Sequence, residues 1–513
     1  MSEKLFKSTA IVSIMTFISR ILGFVRDIVI ARLFGAGLGA DVFFVAFKIP
    51  NFLRRLFAEG AFAQAFIPVL AEYRQRGDKD LKQLIAATSG SLTSILFLIT
   101  ATGVIAAPLL IMIFAPGFIG NPDKLELASN LLKITFPYLF FISLTALAGS
   151  ILNSFGKFAV PALTPVFLNL SLIGCALWLS PHLEKPVTAL AWGVFIGGVV
   201  QLFFQIPFLI KIGQLPKPKW GWKDSGVKKI LTLMIPAMFG VSVAQINLLL
   251  DTLLASFLVT GSISWLYYSD RLVEFPLGVF GIALSTVILP SLSKKHAAKS
   301  KTEFSHTIDW ALRWVFIIAT PAAIGLIWLA EPLLLTLFQY GEFSPKDAHN
   351  ASLSLMAYGL GLLPFIFIKV LAPGYYARQD TKTPVKIGVI AMVTNMVLNI
   401  ILMIKYAYIG LALATALSAM LNAGLLYIGL RKLGVYQPDS GWGRFIAKLI
   451  VPNTILLLLL YWFTPESTIW INSDAWQRFT LLFSLISASI TLYFISLSLV
   501  GIKVKQLLKP SEY

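Results

Sequence analysis

The sequence predicts an all-α polytopic membrane protein of about fourteen transmembrane helices, built as two six-helix lobes plus two C-terminal helices. Three observations lead there. Of 513 residues, 57% are hydrophobic and only 13% are charged, about half the charged fraction of an average soluble protein. Apolar stretches near the 20 residues needed to cross a hydrocarbon core recur along the whole chain, and the mean hydropathy is +0.80. Between those stretches the basic residues alternate in density, as they do when successive loops face opposite sides of a membrane.

The spans fall near 8–35, 41–71, 84–114, 126–153, 160–180, 187–210, 228–259, 264–292, 306–339, 349–376, 385–404, 408–430, 445–463 and 476–500. The basic start, Met1 to Lys7, runs into the first of them without a small-residue cleavage site, so it reads as a retained helix rather than a signal peptide. An even count places both termini on one side. That side collects Lys4, Lys7, the cluster from Arg74 to Lys82, Lys157, six lysines from Lys211 to Lys229 and the group from Lys294 to Lys301. It also collects Arg378 to Lys386, Arg431, Lys432, Arg444, Lys448 and Lys503 to Lys509, making 27 of the 42 basic residues. The opposite side holds six: Lys124, Lys133, Lys185, Lys346, Lys405 and Arg478. The termini are therefore expected in the cytoplasm. Most of the +18 net charge is topology signal and not the footprint of a nucleic acid.

The two halves resemble each other at an offset of 222–227 residues. Phe66-Ile67-Pro68-Val69-Leu70 matches Ile288-Leu289-Pro290-Ser291-Leu292, Pro137-Tyr138-Leu139-Phe140 matches Pro364-Phe365-Ile366-Phe367, and Gly149 and Pro161 match Gly374 and Pro384. Each copy holds six spans, so both insert with the same orientation and are expected to be related by a pseudo-two-fold axis along the membrane normal. This divides the chain into an N-lobe over 1–214, a Pro-, Lys- and Trp-rich linker over 215–227, a C-lobe over 228–432, and two further helices with a tail over 433–513.

Nine cations lie outside the loops: Arg20, Arg26, Arg32, Lys48, Arg54, Arg55, Arg271, Arg313 and Lys369. Those near span ends, Arg32, Arg313 and Arg55, can snorkel. A charge at mid-membrane costs about 2.5–3.5 kcal/mol on insertion scales, so the remainder mark the working part of the molecule. In the first span Arg20 and Asp27 share a face, Arg26 lies off it, and Gly23 offers a hinge that would bring all three toward one cavity. In the second, Asp41, Lys48 and Arg55 are heptad partners, with Asn51 and Glu59 on or near the same stripe. In the eighth, Asp270, Arg271 and Glu274 form a third cluster. Buried pairing could account for the acids, but it leaves a local excess of cations. Arginine forks bind phosphate bidentately, so the constellation points to an anionic, phosphate-bearing substrate.

Asp251 in the seventh span, Asn395 and Asn399 in the eleventh and Thr415 in the twelfth offer oxygen ligands that suit a hard monovalent cation. They equally suit hydrogen bonding between helices. Cys175 stands alone, and His182, His296, His306 and His349 are scattered, so no disulfide or metal-ligand spacing exists. Neither a nucleotide-cradling loop nor a soluble domain is evident, and no organic cofactor is expected.

The segments from Ser19 to Asp27, Gly35 to Gly37, Ala40 to Asn51 and Arg54 to Phe62, with Tyr267 to Pro276, closely resemble the MurJ (MviN) family of bacterial lipid II flippases. That family belongs to the multidrug/oligosaccharidyl-lipid/polysaccharide exporter superfamily. The resemblance extends over the whole chain. It implies a transporter and not an enzyme: two lobes around a cationic cavity for the pyrophosphate and sugar headgroup of lipid II, and a groove on the last two helices for its polyprenyl tail. Alternating access would move the lipid to the outer leaflet of the cytoplasmic membrane, with membrane lipids and the peptidoglycan synthesis machinery as further partners. Arg20, Arg26 and Arg271 match the family's cavity arginines, and Asp27, Asp41, Lys48, Arg54 and Glu274 match further positions. Asp251, Asn395 and Thr415 match a sodium site of some members, but Asn399 stands where the pattern has an acid. The alternatives are a flippase for another polyprenyl-pyrophosphate-linked saccharide and a cation-coupled drug antiporter. The latter needs an acid-dominated cavity. A glycosyl-transfer enzyme needs paired external acids, and the short external loops supply none.

Overall fold

The computed structural model describes residues 3–502; the tail from Lys503 to Lys509 and the side chain of Glu59 lie outside the described residues. Regular structure among the described residues is helical throughout, with no strand. Contacts divide the chain into two compact units, 1–264 and 265–513. The first holds α1 (Glu3–Phe34), α2 (Leu38–Leu53), α3 (Ala63–Arg76), α4 (Asp78–Ile105), α5 (Ala107–Phe114), α6 (Pro122–Thr135), α7 (Tyr138–Ser154), α8 (Ala159–Gly174), α9 (Thr188–Lys211) and α10 (Ser225–Ala255). The boundary falls inside α11 (Ser262–Pro276). The second unit continues with α12 (Ile282–Ala297), α13 (Lys301–Trp328), α14 (Ala330–Leu337), α15 (Pro345–Tyr376), α16 (Lys382–Lys432), α17 (Trp442–Phe463), α18 (Ser467–Asn472) and α19 (Ala475–Leu499). Contacts thus group α10 with the residues before it, against α3 and the π-helical turns Arg54–Phe62, whereas the sequence repeat groups it with those after 228.

Each of the fourteen expected stretches coincides with helix. Ten helical rods among the described residues are long and apolar enough to cross a membrane. The rods begin and end where the local chemistry requires. Pro122, whose missing N–H is harmless in a first turn, starts α6 behind Asn121, whose side chain accepts from the Lys124 N–H. Asp224 caps α10 in the same way, and Ser344 and Asp347 form a capping box at α15. α16 holds two of the expected spans in one 51-residue element. Ala407, at φ 50° and ψ −131°, breaks it between them. Gly410 makes the reversal feasible, because a Cβ there would run into the carbonyl of Leu402.

In lipid no hydrophobic drive pushes helices together, so close packing of small residues takes over. Gly193 and Gly197, four apart on α9, let α8 approach so closely that a Cβ at Gly197 would sit 2.8 Å from Leu168. In the first unit Phe66, Leu70, Leu84 and Ile151 are completely buried, and Phe62 stacks on Phe66 with ring centroids 5.1 Å apart.

Candidate functional site: the cationic helices

α1 is helical throughout, with no turn or loop at Gly23. Asn169 of α8 lies against that glycine, its amide nitrogen 3.6 Å from where a Cβ would stand. The arginine beyond it is held by its own neighbour and by α8. Arg26 donates from Nε and Nη2 to one carboxylate oxygen of Asp27, at 2.9 and 2.7 Å. Its Nη1 donates to Asn169 Oδ1 at 3.0 Å, and Asn169 Nδ2 donates to the Ser19 carbonyl at 3.1 Å. The Asp27 side chain is 2% exposed and that of Arg26 13%. Arg20, two turns earlier, is exposed. Sequence reasoning missed Asn169, whose only signal was an amide inside an apolar span.

Asp41 departs furthest from the heptad reading, which set it beside Lys48. It is buried, and its carboxylate accepts from Gly261 N at 2.6 Å, Ser264 N at 2.9 Å and Ser264 Oγ at 2.6 Å. The carboxylate thereby closes the N-terminal turn of α11, where the first N–H groups have no helical acceptor. Lys124 reinforces the same end by donating to Thr260 Oγ1 at 2.8 Å. Lys48 remains half-buried on α2, and Arg54 Nε donates to Asn51 Oδ1 at 2.9 Å. In the second unit Arg271 Nη1 donates to Glu274 Oε2 at 2.6 Å. Its guanidinium also lies 4.9 Å from the Tyr267 ring centroid. The pair is only partly covered, at 30% and 47% exposure, and Asp270 beside it is half-buried.

The oxygen ligands proposed for a cation divide between the units. Asp251 is half-buried on α10. Asn395, Asn399 and Thr415 gather across the two arms of α16: Asn399 Nδ2 donates to Asn395 Oδ1 at 2.9 Å, and Asn395 Nδ2 reaches Thr415 Oγ1 and Ser418 Oγ, both at 3.4 Å. Ser418 is an addition that the sequence did not suggest. No group of three or more His, Cys, Asp or Glu with metal-binding arrangement occurs among the described residues.

Two arginines are placed differently from expectation. Arg313, expected to snorkel, is buried and donates from Nε to Asp309 Oδ2 at 2.8 Å, between the rings of Trp442 and Phe445. The other Asp309 oxygen accepts from Tyr436 Oη at 2.8 Å, Trp442 Nε1 at 2.6 Å and Asp439 N at 3.2 Å. This node fastens the segment before α17 onto α13. Arg478, counted as a loop charge, is also buried, and donates to the carbonyls of Ser473, Leu335, Gln339 and Ile471 at 2.9–3.2 Å. Asp309 and Arg313 are four apart on α13 and so pairable from spacing. The further partners of Asp309 lie 127–133 positions away and those of Arg478 are backbone carbonyls, where sequence spacing gives no hint.

The family model described as "Lipid II flippase MurJ" matches residues 30–484. A "Probable lipid II flippase MurJ" of Vibrio cholerae is 55% identical, over 100% of this chain and 99% of its own. That alignment includes the α1 arginines ahead of residue 30. A "Lipid II flippase MurJ" of Burkholderia cenocepacia is 44% identical, over 89% of this chain and 90% of its own. Among solved structures, a "Lipid II flippase MurJ, inward closed conformation" superposes with a TM-score of 0.83 at 30% identity, covering 97% of this chain and 99% of that one. An inward-facing multidrug transporter of the MATE family reaches 0.68 at 15% identity, covering 81% of this chain and 94% of that one, which is a likeness of fold.

Proposed function

The chain belongs to the lipid II flippase MurJ family, and from that membership we infer that it moves lipid II from the inner to the outer leaflet of the bacterial cytoplasmic membrane. It is a transporter and not an enzyme. Full-length identity to flippase relatives carries this reading; the multidrug transporters share only the fold. The mid-span cations Arg20, Arg26 and Arg271 supply the charge that a pyrophosphate needs, with Asp27, Lys48, Arg54, Asp270 and Glu274 shaping their field. Asp41 contributes by holding the start of α11. Gly23 is the point on α1 where the least side-chain bulk resists bending.

Transport proceeds by rocking of the lobes 1–214 and 228–432, with α17 and α19 taking the polyprenyl tail and both termini in the cytoplasm. The peptidoglycan-synthesising enzymes supply the substrate and consume the product. Another polyprenyl-pyrophosphate-linked saccharide would meet the same cations, so headgroup selection is tested separately.

Depleting the protein should strand lipid II on the inner leaflet, and re-expression of the wild type should restore export. Arg20→Ala and Arg271→Ala, both at partly or fully exposed side chains, should accumulate in the membrane normally yet fail to restore it. Each loses a charge-assisted contact of about 1.5–3 kcal/mol, which amounts to about 10–100-fold in rate or affinity. Normal leaflet distribution with both variants would remove pyrophosphate binding from these residues.

A further inference from the structure

We propose that a cavity in the first unit, outside the charged constellation, binds the phosphodiester headgroup of an anionic membrane phospholipid. The cavity has a volume of about 240 Å³ and opens where the turn after α7 and the end of α9 meet α1. Lys157 and Lys211 stand at its rim, and Ile11, Phe158, Val160 and Phe208 form an apolar wall. Gly156, at φ 73°, turns the chain so that Lys157 N bonds back to the Leu152 carbonyl at 2.9 Å. Phe158 is left 39% exposed beside the opening. All three helices whose ends meet there, α7, α8 and α9, belong to rods long and apolar enough to cross a membrane, which sets the opening at a membrane surface.

Charge selects the ligand. No Asp or Glu occurs between Glu126 and Glu184 or between Glu184 and Asp224, so α7, α8 and α9 bring no acid to this place. The nearby Glu72 of α3 is engaged by Arg76 and Lys229, and their hydrogen bonds hold its carboxyl below the usual range. Arg74 adds a third cation beside the turn: it donates to the Ser154 carbonyl, and its guanidinium stands 4.5 Å from the Phe155 ring centroid. A phosphodiester carries one negative charge for the lysines, and its glycerol-linked chains follow the apolar wall into the bilayer. Asp78, the acid beside Gln214 just beyond the end of α9, is already engaged by Gln214 Nε2 and Lys82. The ammonium of a zwitterionic headgroup would therefore face mainly cations, and a net-anionic lipid is favoured. An occupant would pin the beginning of α1, the helix that bears Arg20 and Arg26, against α8 and α9. The site depends on membrane embedding and not on which lipid is transported.

Native mass spectrometry of the full-length protein in detergent, with phosphatidylglycerol or phosphatidylethanolamine added, tests this directly. The wild type should retain phosphatidylglycerol preferentially. K157Q/K211Q should lose roughly thirtyfold in that affinity, the effect of two lysines at an anionic surface. K217Q/K219Q, equal in charge lost but on the linker, should keep it. Val160→Phe, which fills the wall without touching a charge, should also weaken lipid binding. Equal loss in both double variants would mean diffuse surface charge and overturn the site. Equal retention of phosphatidylethanolamine would overturn its selectivity. Displacement of the lipid by millimolar inorganic phosphate, with no effect of Val160→Phe, would reassign it to a free anion.

Discussion

Removing Arg26 strips a buried carboxylate of its guanidinium, so Arg26→Ala is not a simple transport variant. Taking one partner from a buried ion pair costs about 3–5 kcal/mol, because the other charge stays desolvated, and Asp27 is 1% exposed. The double variant Arg26→Ala with Asp27→Asn removes the buried negative charge as well. Thermal unfolding in detergent should show the single variant strongly destabilised and the double variant largely restored, while lipid II export fails in both. Export by the double variant would mean that Arg26 serves only to neutralise Asp27. Such distinctions were beyond the sequence. It showed Arg20, Arg26 and Arg271 as costly cations, because a charge in an apolar run is visible by itself. It could not show Asn169 as the third member of the Arg26 node, nor Ser264 as the partner of Asp41, because those contacts join residues 143 and 223 positions apart. Arg271 with Glu274, three residues apart on one helix, was readable for the opposite reason.

At the scale of elements the halves share a feature that hydropathy does not report. π-helical turns occupy Arg54–Phe62, Cys175–Leu179 and Leu277–Gly281 among the described residues, and the first and last of these correspond between the halves. Leu277 stands 223 residues after Arg54, inside the 222–227 offset of the sequence repeat. Charged residues stand at the start of both matching stretches: Lys48 before and Arg54 at the head of the first, and the Arg271–Glu274 ion pair just before the second. A π-turn holds one residue more than an α-turn and recurs at functional sites, so these wide turns are suited to changes of helical register. Deleting Gly278 should let the second stretch close into regular α-helix while the following α12 keeps its face. The expected result is a protein at least as heat-stable as wild type with lipid II export reduced more than tenfold. Unchanged export would mark the π-turns as a packing accommodation. Helix positions were legible because lipid demands long apolar runs. The reversal within α16 was legible as well: the spans near 385–404 and 408–430 leave the break where Ala407 makes it, although no Pro or Gly stands at the break itself.

For the molecule as a whole, the membrane potential supplies about 2.3 kcal/mol per elementary charge per 100 mV. Cationic helices within the field would respond to it directly, and on the proposed reading a polyanionic headgroup bound among them would cancel their bias. The alternative driver, a sodium ion, would have to displace hydrogen bonds that Asn395, Asn399, Thr415 and Ser418 already make among themselves, with Asp251 the one carboxylate of the proposed set. Collapsing the potential should therefore stop flipping in vesicles, whereas exchanging sodium for potassium at constant potential should change it less. Flipping that survives without a potential but fails without sodium would reverse this order. The four-carbonyl grip of Arg478 bears on a different matter, the timing of assembly. Two of its acceptors belong to residues 139 and 143 positions earlier, and a ribosome adds about 5–20 residues per second. The end of α14 must therefore wait roughly 7–30 s after its own synthesis for the arginine that fastens it. Through that interval the newborn chain depends on water or an insertion chaperone at those carbonyls. A message truncated before α19 would leave that dependence permanent, making the last helix the step that commits this half of the protein to its final shape.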